Sequence, residues 1–190
     1  MLLFKVDFKK AYDSVDLYYL DAVMAKMNFP TLWRKWISKC VGSAMASVLV
    51  NGCRTEEFPM ERGLGQGDPL SPFLLAAEGF HILMKSVVEQ GLYRGYQVGQ
   101  SEGVRLSHLQ FADDTLILGE KSWANVCSMR VVLFLFEELT GLKVNYHKSM
   151  LTGVNVLESL LSEVARVMNC HTCTIQFVYL ELPIRGILDE

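Results

Sequence analysis

The sequence predicts an α+β fold in which a largely antiparallel sheet is backed by helices. Residues 2–8 alternate Leu2, Phe4, Val6 and Phe8 with Lys5 and Asp7, the period of two that marks a half-buried strand. Asn51-Gly52 follows the strand-like run from Ala46 and turns the chain into 53–58, a strong hairpin signal. Between such strands stand stretches of helical period. The clearest covers 123–139, where Val126, Met129, Leu133 and Phe136 are spaced 3, 4 and 3 along one face.

The elements follow in order. The strand at 2–8 places Asp7 on its open face. Helices are expected at 17–28 and 31–41, separated by Pro30, with Thr31 as N-cap of the second and Asp13 and Asp16 as turn or N-cap groups ahead of the first. Strands at 46–51 and 53–58 flank the Asn51-Gly52 turn. The glycine-rich loop ERGLGQGDPLSP then opens a helix at 72–90 that stops at Gly91. SHLQFADDTLIL reads as two short strands hinged at Asp113 and Asp114. After the helix at 123–139, ended by Gly141, KVNYHKSML reads as one strand, and a helix at 155–168 and a strand at 175–180 complete the pattern. No repeat or low-complexity linker divides the 190 residues, so one domain spanning 1–190 is expected.

Composition narrows the function classes. Apolar residues make up 51% and charged residues 21%, as in a packed chain rather than a disordered one. Eighteen Lys and Arg stand against 21 Asp and Glu, a net charge of −3, so the chain as a whole is not a basic nucleic-acid binder. Uncharged runs such as the 14 residues from Cys40 to Cys53 are too short for a membrane helix of about 20, and no membrane partner is expected. Five cysteines are an odd count, which points to a reduced, intracellular chain.

The chemistry concentrates in carboxylates. Adjacent aspartates at a tight turn repel one another unless a cation sits beside them, although Asp also serves ordinary turns. Hard oxygen ligands suit Mg²⁺, and a third carboxylate from a neighbouring strand would complete a two-metal clamp for phosphoryl displacement. The glycine loop is neither a P-loop nor a dinucleotide fingerprint. Cys170-His171-Thr172-Cys173 has two-residue spacing, but no second pair with zinc-site spacing accompanies it. Trp33-Arg34-Lys35-Trp36 mixes aromatics with bases. At helical spacing the two tryptophans are expected to face the core.

Taken together, FKVDFKKAYDSVD, RGLGQGDPLSPFL, FADD, TGLKVNYHKS and VYLELPIRG resemble, in order and spacing, the successive blocks of a reverse transcriptase palm. The wording is most similar to that of retrotransposons without long terminal repeats, of the long-interspersed-element type and especially plant copies. The resemblance implies a right-hand polymerase palm with the fingers and thumb outside residues 1–190. It also implies RNA-directed synthesis of DNA from deoxynucleoside triphosphates on an RNA template and DNA primer, with two Mg²⁺ ions and with the nucleus as compartment. Asp7, Asp113 and, more weakly, Asp114 would be the catalytic metal ligands. Tyr12 would be the steric gate against a ribose 2′-OH, Gln66 and Gly67 would line the nucleotide and template base, and Lys148 would lie near the pyrophosphate. The chain departs from the pattern at Gly65, Glu181 and Arg185, which keeps an inactive retroelement remnant as the alternative.

Overall fold

The computed structural model describes residues 1–60, 62–64, 73–99, 103–173, 176–180 and 182–185. Its centre is a five-stranded sheet in the order His171–Thr172, Met150–Gly153, Leu2–Val6, Asp114–Gly119, His108–Phe111. All neighbours are antiparallel except Met150–Gly153 with His171–Thr172. The alternation of the first strand divides the two faces. Leu2, Phe4 and Val6 enter the main core, whereas Leu3 joins Leu116 and Leu118 on the other face, beside Met1, Tyr96 and Tyr179.

Helices cover the first face. They are α1 (Ala11–Ser14), α2 (Leu17–Lys26), α3 (Thr31–Gly42), α4 (Phe73–Glu89), α5 (Trp123–Thr140) and α6 (Glu158–Met168). The stripe Val126, Met129, Leu133 and Phe136 is wholly buried. Phe136 packs edge-on to Phe80 of α4, ring centroids 5.3 Å apart, and meets Phe8 at 5.8 Å. Local chemistry sets the helix ends. The Asp16 carboxylate accepts from the backbone N–H groups of Tyr18 and Tyr19, and Ser122 Oγ accepts from that of Asn125. Gly141 closes α5 at φ 78°, where a Cβ would lie 2.7 Å from the Ser14 carbonyl oxygen. Glycine is required there by conformation and by space.

Several expectations change. Thr31 is the first residue of α3 rather than its cap; Pro30 occupies the cap position. Trp33 and Trp36 do not face the core. They are 52% and 55% exposed, because Ile37 and Val41, one turn apart, supply the helix's inward contacts. KVNYHKSML is two strands, Lys143–Val144 pairing with Phe8–Lys9 and Met150–Gly153 in the main sheet. The expected strands at 46–51 and 53–58 break into the pairs Met45–Ala46 with Phe58–Pro59 and Leu49–Val50 with Cys53–Arg54. The Asn51-Gly52 turn holds, with φ 51° and 81°. A hairpin of Tyr96–Val98 and Val104–Leu106 had no counterpart in the sequence pattern. The last expected strand is Gln176–Tyr179, paired with Leu182–Arg185. No described helix is long and apolar enough to cross a membrane.

Candidate active site

Asp7 stands one residue beyond the strand Leu2–Val6, whose last pair with the neighbouring strand is Val6 with Thr115. Asp114 stands one residue before Thr115, so the register carries Asp7 and Asp114 to the same end and the same face of adjacent strands. Asp114 pairs back to Phe111, leaving Ala112 and Asp113 as a two-residue turn. Ala112 adopts φ 53°, a left-handed conformation that disfavours a side chain. Asp113 is exposed at the tip, and Asp7 and Asp114 are partly buried.

A turn from the far side of the sheet clasps the Asp7 backbone. The Asp7 N–H donates to Ser149 Oγ at 3.1 Å, and the Asp7 carbonyl accepts from the Asn145 N–H at 2.7 Å. Ser149 is fully buried and donates in turn to the Asn145 carbonyl at 3.0 Å. The Lys148 N–H donates to that same carbonyl at 2.9 Å. Lys148 therefore sits, exposed, in a turn tied to Asp7 from both sides. It lines a cleft of about 550 Å³ together with Asp7, Lys9, Lys10, Lys143 and Asn145. Lys9 and Lys143 are direct cross-strand partners, like charges that repel unless an anion lies between them. The Lys143 ammonium is bonded to Glu138 at 2.8 Å; among the described residues Lys9, Lys10 and Lys148 make no ion pair. An acidic chain thus carries a local basic cleft beside Asp7.

Tyr12 of α1 stacks on Phe73, the first residue of α4, with ring centroids 4.3 Å apart and planes at 28°. Partial burial, then the charges of Asp113 and Asp114, hold its phenol above the ordinary pKa. The ring is therefore within electrostatic reach of both hairpin carboxylates. The Tyr12 carbonyl accepts from the Leu64 N–H at 2.7 Å, and the Val15 carbonyl from the Gly63 N–H at 3.1 Å. These bonds fix the start of the glycine-rich segment against α1. Gln66 and Gly67, like Gly65 and Glu181, lie outside the described residues. On the opposite side Tyr179 feels Asp114, which adds to burial in raising its phenol pKa.

The structure thus brings Asp7, Asp113, Asp114, Tyr12 and Lys148 to one end of the sheet. Among the described residues no three His, Cys, Asp or Glu side chains form a ready metal cage. The donor set still fits Mg²⁺, which is usually held by one or two carboxylates with water and substrate phosphate rather than by protein alone. Ser149, Lys9 and Lys10 belong to this surrounding and were not singled out by sequence reasoning. The DFKKAYD spacing places two lysines just after Asp7, a signal available without coordinates. Ser149 had none.

This architecture, an antiparallel sheet backed by helices with carboxylates at a central strand end and a neighbouring hairpin, is that of a right-hand polymerase palm. Apo telomerase from Candida tropicalis, truncated from its C-terminal domain, shares the fold with a TM-score of 0.63 at 14% identity, over 97% of this chain and 34% of that one. The chain belongs to the family described as reverse transcriptase (RNA-dependent DNA polymerase), whose model matches residues 1–172. It is similar to the retrovirus-related Pol polyprotein of a type-1 R2 retrotransposable element from Popillia japonica, 27% identical over 150 residues, covering 78% of this chain and 20% of that protein. The polyprotein of the type-2 element R2DM from Drosophila melanogaster is 26% identical over 151 residues, covering 78% of this chain and 13% of that protein. An uncharacterized mitochondrial protein of Arabidopsis thaliana is 42% identical over 69 residues, 35% of this chain and 56% of that protein. The chain spans about a fifth of the length of the Popillia polyprotein.

Proposed function

We propose that this chain is the palm portion of an RNA-directed DNA polymerase from a retrotransposon without long terminal repeats, its fingers and thumb supplied by flanking segments of a longer polyprotein. The observation that carries the reading is the strand register, which sets Asp7 across from Asp114 beside the Ala112–Asp113 turn. The reaction is attack of a primer 3′-OH on the α-phosphate of a deoxynucleoside triphosphate. A phosphodiester bond forms and pyrophosphate leaves. The partners are an RNA template and a DNA primer, and the nucleus is the compartment the reading implies.

Asp7 and Asp113 would hold two Mg²⁺ ions, with Asp114 a weaker ligand. When bound, such ions lower the charge on the phosphates and favour the deprotonated primer oxygen. The chain's own residues do the remaining work. The Ser149 and Asn145 bonds fix the Asp7 backbone, so its carboxylate needs little rearrangement when substrate arrives. The Tyr12 ring, braced by Phe73, would reject a 2′-OH by contact, and the family resemblance assigns Gln66 and Gly67 to the nucleotide and template base. Lys148, with Lys9 and Lys10 of the same cleft, attracts the leaving pyrophosphate.

The test is a chimaera in which this segment replaces the matching 150 residues of the Popillia polyprotein, assayed for primer extension on RNA. Extension that is lost in Asp7→Asn supports the proposal. A folded chimaera without extension points instead to an inactive remnant.

A further inference from the structure

A second cleft, of about 350 Å³, opens between α4 and the strand His108–Phe111, and no part of the reaction above uses it. Its lining includes Glu78, His81, His108 and Gln110. The two imidazoles come from different elements, 27 positions apart in sequence, and meet directly: His81 Nδ1 lies 3.1 Å from His108 Nε2. We propose that His81 and His108 form a chelate for a divalent transition-metal ion such as Zn²⁺, separate from the carboxylates of Asp7, Asp113 and Asp114.

The geometry supports this in three ways. Two nitrogens each about 2.0–2.1 Å from one ion stand roughly 2.9–3.4 Å apart at coordination angles between square and tetrahedral, and the observed separation falls in that interval. His108 is also held from behind. Its Nδ1 lies 2.9 Å from Ser107 Oγ, and Phe80 packs edge-on against the ring at 5.6 Å and 89°. With Nδ1–H donated to the serine oxygen, Nε2 keeps its lone pair toward the cleft, the outer hydrogen bond that fixes a metal-binding tautomer. In that tautomer His81 donates its Nδ1–H to His108 Nε2; an ion seated between the two nitrogens takes the place of that proton, which passes through solvent to Nε2 of the exposed His81 ring.

The donor chemistry selects the ion. Imidazole nitrogen suits Zn²⁺, Cu²⁺ and Ni²⁺, whereas Mg²⁺ prefers oxygen. Glu78, three residues before His81 and so on the same side of α4, lines the cleft without joining the pair as a third ligand. Water would complete an open coordination sphere. The strand that carries His108 runs straight into the Ala112–Asp113 turn, so a bound ion would fasten that strand to α4.

The experiment is a calorimetric titration of the metal-free 190-residue chain with Zn²⁺, in Mg²⁺ excess to occupy the carboxylates. The expected result is one Zn²⁺ per chain. His81→Ala and His108→Gln should each weaken binding at least about tenfold, and Ser107→Ala by roughly 10-fold or more, the usual effect of removing an outer partner. His81 lies on the solvent side of α4, so His81→Ala remains informative if His108→Gln fails to fold. Asp113→Asn should leave Zn²⁺ binding unchanged. Absence of stoichiometric Zn²⁺ uptake, or uptake unaltered in His81→Ala, overturns the proposal. So does uptake lost in the Cys170→Ser, Cys173→Ser double variant but retained in His81→Ala, which would place the ion on the cysteine pair.

Discussion

Ser149→Ala perturbs the candidate site without touching a carboxylate. Ser149 is fully buried, and its hydroxyl accepts from the Asp7 N–H at 3.1 Å while donating to the Asn145 carbonyl at 3.0 Å. Alanine removes both bonds and barely changes volume, so the cost is polar rather than steric. Each bond contributes about 0.5–1.5 kcal/mol net, and a buried donor left unpaired costs about 1–3 kcal/mol. The Asn145 carbonyl keeps two backbone donors, Lys148 and Ser149, so the loss falls mainly on the Asp7 N–H. Together these give a destabilisation of about 2 kcal/mol. At roughly 2–4 °C per kcal/mol for a chain of this length, Tm should fall by about 4–8 °C. Urea unfolding followed by circular dichroism should show a lower midpoint with an unchanged slope. In the extension assay the same variant should lower the rate at saturating nucleotide, because the Asp7 backbone loses one of its two fixed points. An unshifted midpoint would refute the claim that this clasp holds Asp7 in place.

Two further outcomes follow from the same geometry. Tyr12→Ala should admit ribonucleotides in the chimaera, since rejection by the ring is steric; an unchanged ratio of deoxynucleotide to ribonucleotide incorporation would make Tyr12 only a packing partner of Phe73. Ala112→Gly should raise the urea midpoint. It relieves a left-handed alanine at φ 53°, worth about 1–2 kcal/mol, against about 0.4–1 kcal/mol of added chain freedom in the unfolded state, and a lower midpoint would contradict the strain assigned to this turn.

Features set by neighbours in sequence were legible before the fold. Asp16 caps a helix with its own side chain, Asn51-Gly52 turns a hairpin, and Gly141 ends α5, because each depends on a few consecutive residues. The buried stripe of α5 was equally plain in its spacing. Long-range partners were not. The run KVNYHKSML looks continuous, yet its Asn145 carbonyl collects the Lys148 and Ser149 N–H groups and breaks it into two strands. Trp33 and Trp36 have helical spacing, but the smaller Ile37 and Val41 meet the core. Asp7, Tyr12, Asp113 and Lys148 stood out through motif resemblance. The Ser149 clasp arises from pairing across 142 positions, and the His81–His108 meeting from the packing of α4 on an edge strand. Neither leaves a local pattern.

In the proposed function Asp7 and the Asp113–Asp114 hairpin would hold the ions for nucleotidyl transfer, with unequal shares. The most direct measurement compares primer extension by the chimaera carrying Asp113→Asn with that carrying Asp114→Asn, each titrated with Mg²⁺ and each checked for folding by circular dichroism. Losing one oriented charge at the reacting phosphate commonly lowers a rate by about 10²–10³. Asp113→Asn should lose at least that much at every Mg²⁺ concentration, and Asp114→Asn less, with added Mg²⁺ partly restoring it. Full extension by a folded Asp113→Asn chimaera would contradict that assignment.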